Sequence, residues 1–338
     1  MTTCALVVPG GPMGRTGGTL YGQHLLAGLR QLGHRVQVVT LDDRWPWPRE
    51  PDRHVHRLGR LEQGLPLLVD GLLWTGLAPA LGPVLPRHPC TVIVHSPLFR
   101  ETGLTTVQRA RLFDAEAEAL QLAQHIVGTG GPTVRDLRAQ FGLKAHCIEP
   151  GIHPRPPAPA SDPTALACLA TVTPRKDHPF LLKVLSETVL RNHRLACAGS
   201  LARSPTHAIR CQALAETLSV ADRTTWHGEL GPGPLAHLLD HTGTLVQTAH
   251  YEAYGMAIAE AVAAGIPVVS RPAGALEGAC GEAAVIVDTD DPAVFAEAIH
   301  DLDHTGLRRI ARRIAPTLPG WKAVAGRFSS EVLGGRLV

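Results

Sequence analysis

The residues best suited to chemistry lie in the run Tyr251-Glu252-Ala253-Tyr254-Gly255-Met256-Ala257-Ile258-Ala259-Glu260-Ala261-Val262-Ala263-Ala264-Gly265-Ile266-Pro267-Val268-Val269. Two glutamates flank seven intervening residues across what reads as a loop-to-helix junction. Gly255 permits a tight backbone turn at that junction. The amides that open the helix, near Gly255 to Ala257, then point outward and favour an anion. Glu252 falls in the loop and Glu260 inside the helix, so one carboxylate can reach sugar hydroxyls while the other reaches a ribose. By spacing alone the plainer reading is a solvated helix with two ordinary surface glutamates.

Three other stretches carry polar groups at places where a ligand could sit. Ala170-Thr171-Val172-Thr173-Pro174-Arg175-Lys176-Asp177-His178 follows an apolar run, and adjacent cations at a strand's end suit a diphosphate. One charge-assisted hydrogen bond there is worth roughly 1.5–3 kcal/mol. Gly10-Gly11-Pro12-Met13-Gly14-Arg15-Thr16-Gly17-Gly18 follows the first apolar run and lets backbone amides approach phosphate or sugar closely. A dehydrogenase fingerprint is the rival reading of this loop. The Gly-x-Gly-x-x-Gly spacing is absent, although Asp42 and Asp43 end the second strand where a ribose-binding acid would stand. His95-Ser96-Pro97-Leu98 closes the run 91–94, and Glu101-Thr102-Gly103 comes just after. A histidine at a strand's carboxyl end faces whatever binds there. Glu101 is placed to orient an acceptor or His95.

These segments need a scaffold, and the chain supplies one twice. Short apolar runs alternate with amphipathic segments. Strands are predicted over 4–8, 36–40, 91–94, 125–128 and 145–148. Helices are predicted over 107–123 and 133–140, with another bearing Leu25, Leu29 and Leu32 and stopping at Gly33. Residues 149–163 then break the pattern with Pro150, Pro154, Pro156, Pro157, Pro159 and Pro163. Such a stretch continues neither a helix nor a central strand, so it reads as a linker. Alternation restarts with strands over 166–172, 195–198, 224–226, 245–248, 268–270 and 285–287. Helices are predicted over 180–190, 208–218, 257–264 and 293–302. The pattern implies two α/β units with parallel sheets covered on both faces. Ligands in such sheets bind at the carboxyl ends of the strands.

Here the sequence resembles glycosyltransferase family 4. Glu-x7-Glu followed by Ala-x-Ala-Ala-Gly-x-Pro-Val-Val is similar to that family's signature. Lys176 matches a family lysine after the corresponding strand, where the family places phosphate-binding cations. Gly17-Gly18 and Gly33-His34-Arg35-Val36 match its first-domain pattern. The likeness runs from Gly17 to Trp321, is dense over 252–269 and thin between 42 and 90. It departs at Ala170-Thr171, where the family often has Gly-Arg. Either Arg175 replaces that arginine, or the chain belongs to a branch with another phosphate grip, which Thr-Pro-Arg-Lys resembles.

The resemblance implies the GT-B architecture, two Rossmann-like domains whose parallel sheets face a central cleft. It implies an acceptor-side domain over 1–152, a nucleotide-sugar domain over 153–318, and a last helix over 319–338 crossing back to the first domain, with Trp321 as a packing residue. It implies retaining, metal-independent transfer of a sugar from a nucleotide-diphosphate donor, taken as UDP, to an unidentified acceptor hydroxyl. By resemblance Glu252 contacts the sugar and Glu260 the ribose. Tyr254, Gly255, Met256, Ala257, Gly17 and Gly18 bind donor, His95 lies beside the donor sugar, and Arg175 and Lys176 hold the diphosphate. Domain closure would bring Gly17, Gly18 and His95 onto the donor. No cofactor is expected. A non-catalytic nucleotide-sugar-binding homologue, or an epimerase or phosphorylase on the same fold, is the alternative.

Composition narrows the rest. A chain of 338 residues makes about two domains, and 44% hydrophobic with 18% charged residues suits a folded one. A net charge of +2 gives no support to a nucleic-acid binder. Seven cysteines without a Cys-x-x-Cys pair read as buried reduced thiols. No apolar run is long enough for a membrane span, and residues 1–9 read as a strand rather than a signal, so a cytoplasmic location is expected. Arg308, Arg309, Arg312 and Arg313 are expected to form a solvated helix face rather than a lipid contact. Trp45-Pro46-Trp47-Pro48 suits an acceptor-binding loop or an ordinary loop with packed indoles.

Overall fold

The computed structural model describes residues 2–10, 14, 16–82, 84–159 and 162–334. Gly11, Pro12, Met13 and Arg15 of the first glycine-rich loop lie outside them. The chain divides into two compact units, Met1–Gly151 with Pro319–Val338, and Ile152–Leu318.

The first unit carries β1 (Thr3–Pro9), α1 (Gly17–Gln31), β2 (Arg35–Leu41), α2 (Pro51–Gly59), β3 (Leu67–Asp70), α3 (Gly71–Leu77), β4 (Cys90–Val94), α4 (Thr106–Gln121), β5 (His125–Gly128), α5 (Gly131–Phe141) and β6 (His146–Cys147). Its sheet has the order β2-β1-β3-β4-β5-β6, and every pairing is parallel. The central strands are apolar along their length, as strands covered on both faces must be: all of β4 is buried. α1 starts on a capping box, in which Thr16 and Thr19 exchange side-chain and backbone hydrogen bonds.

The second unit carries β7 (Ala165–Leu169), α6 (His178–Ser186), β8 (Arg194–Ala198), α7 (Pro205–Thr217), β9 (Thr224–Gly228), α8 (Pro232–Asp240), β10 (Thr244–Gln247), α9 (Met256–Ala263), β11 (Val268–Ser270), β12 (Ala284–Ile286), α10 (Pro292–His300) and α11 (His304–Ile314). Its sheet runs β12-β11-β10-β7-β8-β9, again parallel throughout. Counted from its own first strand this is the 3-2-1-4-5-6 order of a dinucleotide-binding sheet. Both sheets are of the expected α/β kind.

The last helix, α12 (Trp321–Phe328), belongs to the first unit. Gly28 lets α1 and α12 touch, since a Cβ there would stand 2.5 Å from the Ala325 Cβ. Trp321 is buried edge-on to Tyr21, whose hydroxyl donates to the Ile148 carbonyl at 3.0 Å.

Several expected elements shift. The strand over 166–172 stops at Leu169, although the Ala170 and Val172 amides still bond the Ala198 and Ser200 carbonyls. Gly199 allows that close approach: a Cβ there would lie 2.0 Å from the Ala170 carbonyl oxygen, which is backbone and cannot swing away. Gly199→Ala should therefore destabilise the chain by roughly 1–3 kcal/mol, the usual range for overpacking. A denaturation midpoint equal to that of the wild type would contradict this. The strand over 145–148 shrinks to the two residues of β6 at the sheet's edge, although the Ile148 amide still bonds the Gly128 carbonyl at 3.0 Å. The helix over 180–190 ends at Ser186 and tightens into a separate 3₁₀ turn, Thr188–Leu190.

The arginine-rich face of α11 is not simply solvated. Arg308 and Arg312 donate to the Ala158 carbonyl, and Arg313 pairs with Glu282. Arg308 and Arg312 thereby fasten the proline-rich segment to α11. In the Trp-Pro-Trp-Pro loop, Trp45 packs on the first unit's core and donates to the Leu41 carbonyl. Trp47 lies under the Arg111 guanidinium, 4.1 Å from its ring centre. All seven cysteines are free, and all but Cys147 are buried.

Candidate active site

In the second unit the strand order reverses between β7 and β10, the neighbours at the sheet's centre. The chain leaves β7 toward β8 on one side and leaves β10 toward β11 on the other. A crevice opens at the carboxyl ends of such a pair, and ligands settle there. Residues 170–177 follow β7, and residues 248–255 follow β10.

The two segments are stitched together. The His250 amide donates to the Arg175 carbonyl at 2.9 Å, and the Thr248 hydroxyl to the Lys176 carbonyl at 3.3 Å. An Arg175 Nη donates to the Tyr251 carbonyl at 2.7 Å. The Lys176 ammonium donates to Glu252 Oε1, which also accepts from the Gln247 amide at 3.2 Å. Both side chains of that ion pair are nearly buried, 13% and 12% exposed. Burial pulls the Lys176 ammonium below its ordinary value against the attraction of Glu252. Glu252, despite its own desolvation, is held below the usual carboxylate range by Lys176 and Arg175.

Gly255 caps α9 in the left-handed region, φ 95°, as the tight turn requires. The first amides of a helix have no intrahelical acceptor, so those of Met256 and Ala257 are available to a ligand. Glu260 lies on α9, half-buried. Tyr254 is buried, 8% exposed, in the apolar cluster that also holds Ile258, Ala273 and Leu276.

Beneath these groups lies a network that the sequence did not reveal. Asp177, at φ 50°, caps α6 through the Phe180 amide. Its other oxygen takes the Arg271 guanidinium at 2.9 Å and stands 3.2 Å from His250 Nε2. Arg271 is buried, donates further to the Thr248 and Thr289 carbonyls and to Asp290, and lies over the Phe180 ring. The signal available in the sequence was its position, immediately after β11. His178 is buried beside Cys168, and desolvation pushes it down to about 3, so it is a neutral packing residue.

In the first unit, Gly18 and His95 meet: a Cβ on Gly18 would stand 2.9 Å from the His95 ring. Tyr21 lies edge-on to that ring, with centroids 5.3 Å apart. Gly17 is exposed at the start of α1. Asp70 stands beside His95, with a carboxylate oxygen 3.4 Å from Nε2. Asp70 ends β3 and caps α3 through the Leu72 amide. Glu101 is exposed and accepts from the Thr102 amide. Asp43 is committed elsewhere: it accepts from the Arg44, Arg49 and Glu50 amides and from His54. Those bonds hold its carboxyl far below the usual range against desolvation, which removes it as a ribose ligand.

Residues 152–314 match the family model described as Glycosyl transferases group 1. The curated D-inositol 3-phosphate glycosyltransferase of Acidothermus cellulolyticus is 36% identical over 101 residues, 29% of this chain. The aligned stretch spans 22% of that relative's length. The fold is matched more widely. Sucrose-phosphate synthase from Thermosynechococcus elongatus superposes with a TM-score of 0.81 at 19% identity, over 98% of this chain and 100% of that one. Anabaena HepE, solved with UDP and glucose, gives 0.75 at 13% identity over 97% and 99%. The chain has the GT-B fold, and the segment that matches the group 1 model lies in its second unit. Among the described residues, no helix is long and apolar enough to cross a membrane.

Proposed function

We propose that this chain is a cytoplasmic glycosyltransferase of family 4 type that moves a sugar, with retention and without a metal, from a UDP-sugar to an acceptor hydroxyl. The observation that carries this reading is the second unit's switch point, where Lys176, Arg175, Glu252 and the start of α9 converge within the segment that matches the group 1 model. UDP is chosen because HepE, which shares the fold, was solved with it.

Charge builds on the departing diphosphate, and fixed donors stabilise it. Lys176, Arg175 and the Met256 and Ala257 amides fill that role. Glu252 holds the sugar and Glu260 the ribose. The acceptor hydroxyl attacks the anomeric carbon on the face that the diphosphate leaves. The bond from that carbon to the phosphate oxygen breaks, and the same oxygen takes the acceptor proton, so no protein nucleophile is required.

A non-catalytic nucleotide-sugar binder is the second reading. It is favoured by Thr171, which stands where the family arginine is usual, and by Lys176, whose ammonium is already bonded to Glu252.

The test is thermal shift with a panel of nucleoside diphosphates and their sugars, with EDTA present. A ligand at a hundred times its Kd adds roughly 2.7 kcal/mol of stability. UDP should raise the transition and one UDP-sugar should raise it further. Glu260→Ala should weaken UDP roughly ten- to hundredfold, the worth of one hydrogen bond to a charged group. Unchanged UDP affinity removes Glu260 from the ribose. Binding without turnover on any acceptor leaves the second reading.

A further inference from the structure

The first unit holds a cavity of about 270 Å³ between the carboxyl end of β2 and helix α2. Thr40 and Asp42 line one side, and Arg53, His56, Arg57 and Arg60 line the other, with His54 at the base. Arg53, His56, Arg57 and Arg60 are exposed and fall at i, i+3, i+4 and i+7, one face of α2 and its C-cap. Val55 and Leu58, on the opposite face, are buried in the unit's core, and His54 is buried as well.

Three guanidiniums on one helical face repel one another, and the surroundings compensate them only in part. Arg53 pairs with Glu50 at 2.8 Å in solvent, and Asp42 is the one carboxylate among the lining residues. Arg57 is drawn over the strand end, where an Nη donates to the Thr40 carbonyl at 2.8 Å. Arg60 and His56 have no ion-pair partner among the described residues. His54 is held by Asp43 at 3.0 Å and packs against the Trp45 ring. The space that these side chains line is large enough for a phosphoryl group. Guanidinium forks match the oxygens of such a dianion in pairs.

We propose that this cavity is an anion site that takes a phosphoryl group through Arg57 and Arg60, with Arg53 and His56 at its rim. It stands independently of the donor reading, since it uses only first-unit residues. Free phosphate and a phosphate monoester share the chemistry.

The experiment is calorimetric titration of the full chain with inorganic phosphate and, separately, glycerol 3-phosphate at constant ionic strength. Wild type, Arg53→Gln/Arg60→Gln and Lys176→Ala are compared. The exposed double variant should keep the wild-type melting temperature and the UDP shift while weakening phosphate tenfold or more. Lys176→Ala should keep this phosphate site. Arg60→Gln alone should lose threefold or more, which covers a failure of the double variant to fold. Glycerol 3-phosphate binding tenfold tighter than phosphate assigns the site to a monoester, and equal affinity assigns it to free phosphate. Phosphate affinity unchanged in the double variant, or lost only with Lys176→Ala, overturns the proposal.

Discussion

Lys176→Ala should lower kcat/KM by on the order of a hundredfold, the cost of one preorganised donor to developing charge. The ammonium stands in the segment after β7 in a nearly buried site, paired with Glu252. That pairing complicates the result. Removing one partner of a buried ion pair leaves the other charge uncompensated, at a cost of about 3–5 kcal/mol. A loss of activity in Lys176→Ala could then report a damaged fold. The double change Lys176→Met/Glu252→Gln separates the two effects. It removes both charges while keeping side chains of similar length, so much of the lost stability should return. The diphosphate would still lack its cation, so activity should not return. Recovery of activity together with stability would make Lys176 a structural residue, and unchanged kinetics in Lys176→Ala alone would remove it from the site altogether.

The sequence exposed the scaffold where an element's own residues carry the information. β5 is a four-residue strand built on the apolar pair Ile126-Val127 and ending at Gly128, and α5 ends on Gly142 in the left-handed conformation. The stretch between 42 and 90 was opaque for a physical reason. Residues 65–77 are almost continuously apolar, so no period separates β3 from α3; the boundary is the Asp70 carboxylate, which caps α3. α2 was hidden because one of its three buried residues is a histidine. α8 was masked by Gly231-Pro232-Gly233-Pro234, which reads as a loop although Pro232 opens a helix. Within the candidate site the same division holds. Arg175, Lys176 and Glu252 could be picked out by type and position. Asp177 and Arg271 lie 94 residues apart, and nothing local in either announces the other. His95 stood out at its strand end, whereas Asp70 became visible only once β3 and β4 were neighbours.

The stability of the first unit should fall as pH rises from about 4.5 to about 7, and Glu116 should cause much of the fall. This carboxyl is buried on α4, and both of its oxygens accept from the Leu98 amide, at 3.0 and 2.8 Å. It thereby caps the turn Leu98–Arg100, which follows His95. Desolvation is the largest influence on it and, with Asp136 adding to it, outweighs the backbone amides and pushes Glu116 up to about 7 from 4.5. Asp136 itself is paired with Arg100, so the turn is held from α5 as well. Between the two pKa values the folded chain keeps a proton that the unfolded chain has released. Unfolding therefore becomes easier with rising pH in that window, and the dependence flattens above it. A displacement of this size corresponds to on the order of 3 kcal/mol. Glu116→Gln is neutral at every pH and keeps a carbonyl for the Leu98 amide. The variant should therefore match the wild type near pH 4.5 and exceed it near pH 8, where exchange of the Leu98 and Phe99 amides should also slow. The comparison is by denaturant unfolding of both proteins across pH, so that every other titrating group cancels in the difference. Parallel pH profiles would mean that Glu116 is ionised throughout, and that the turn beside His95 is held by a charge instead of by a proton-bearing acid.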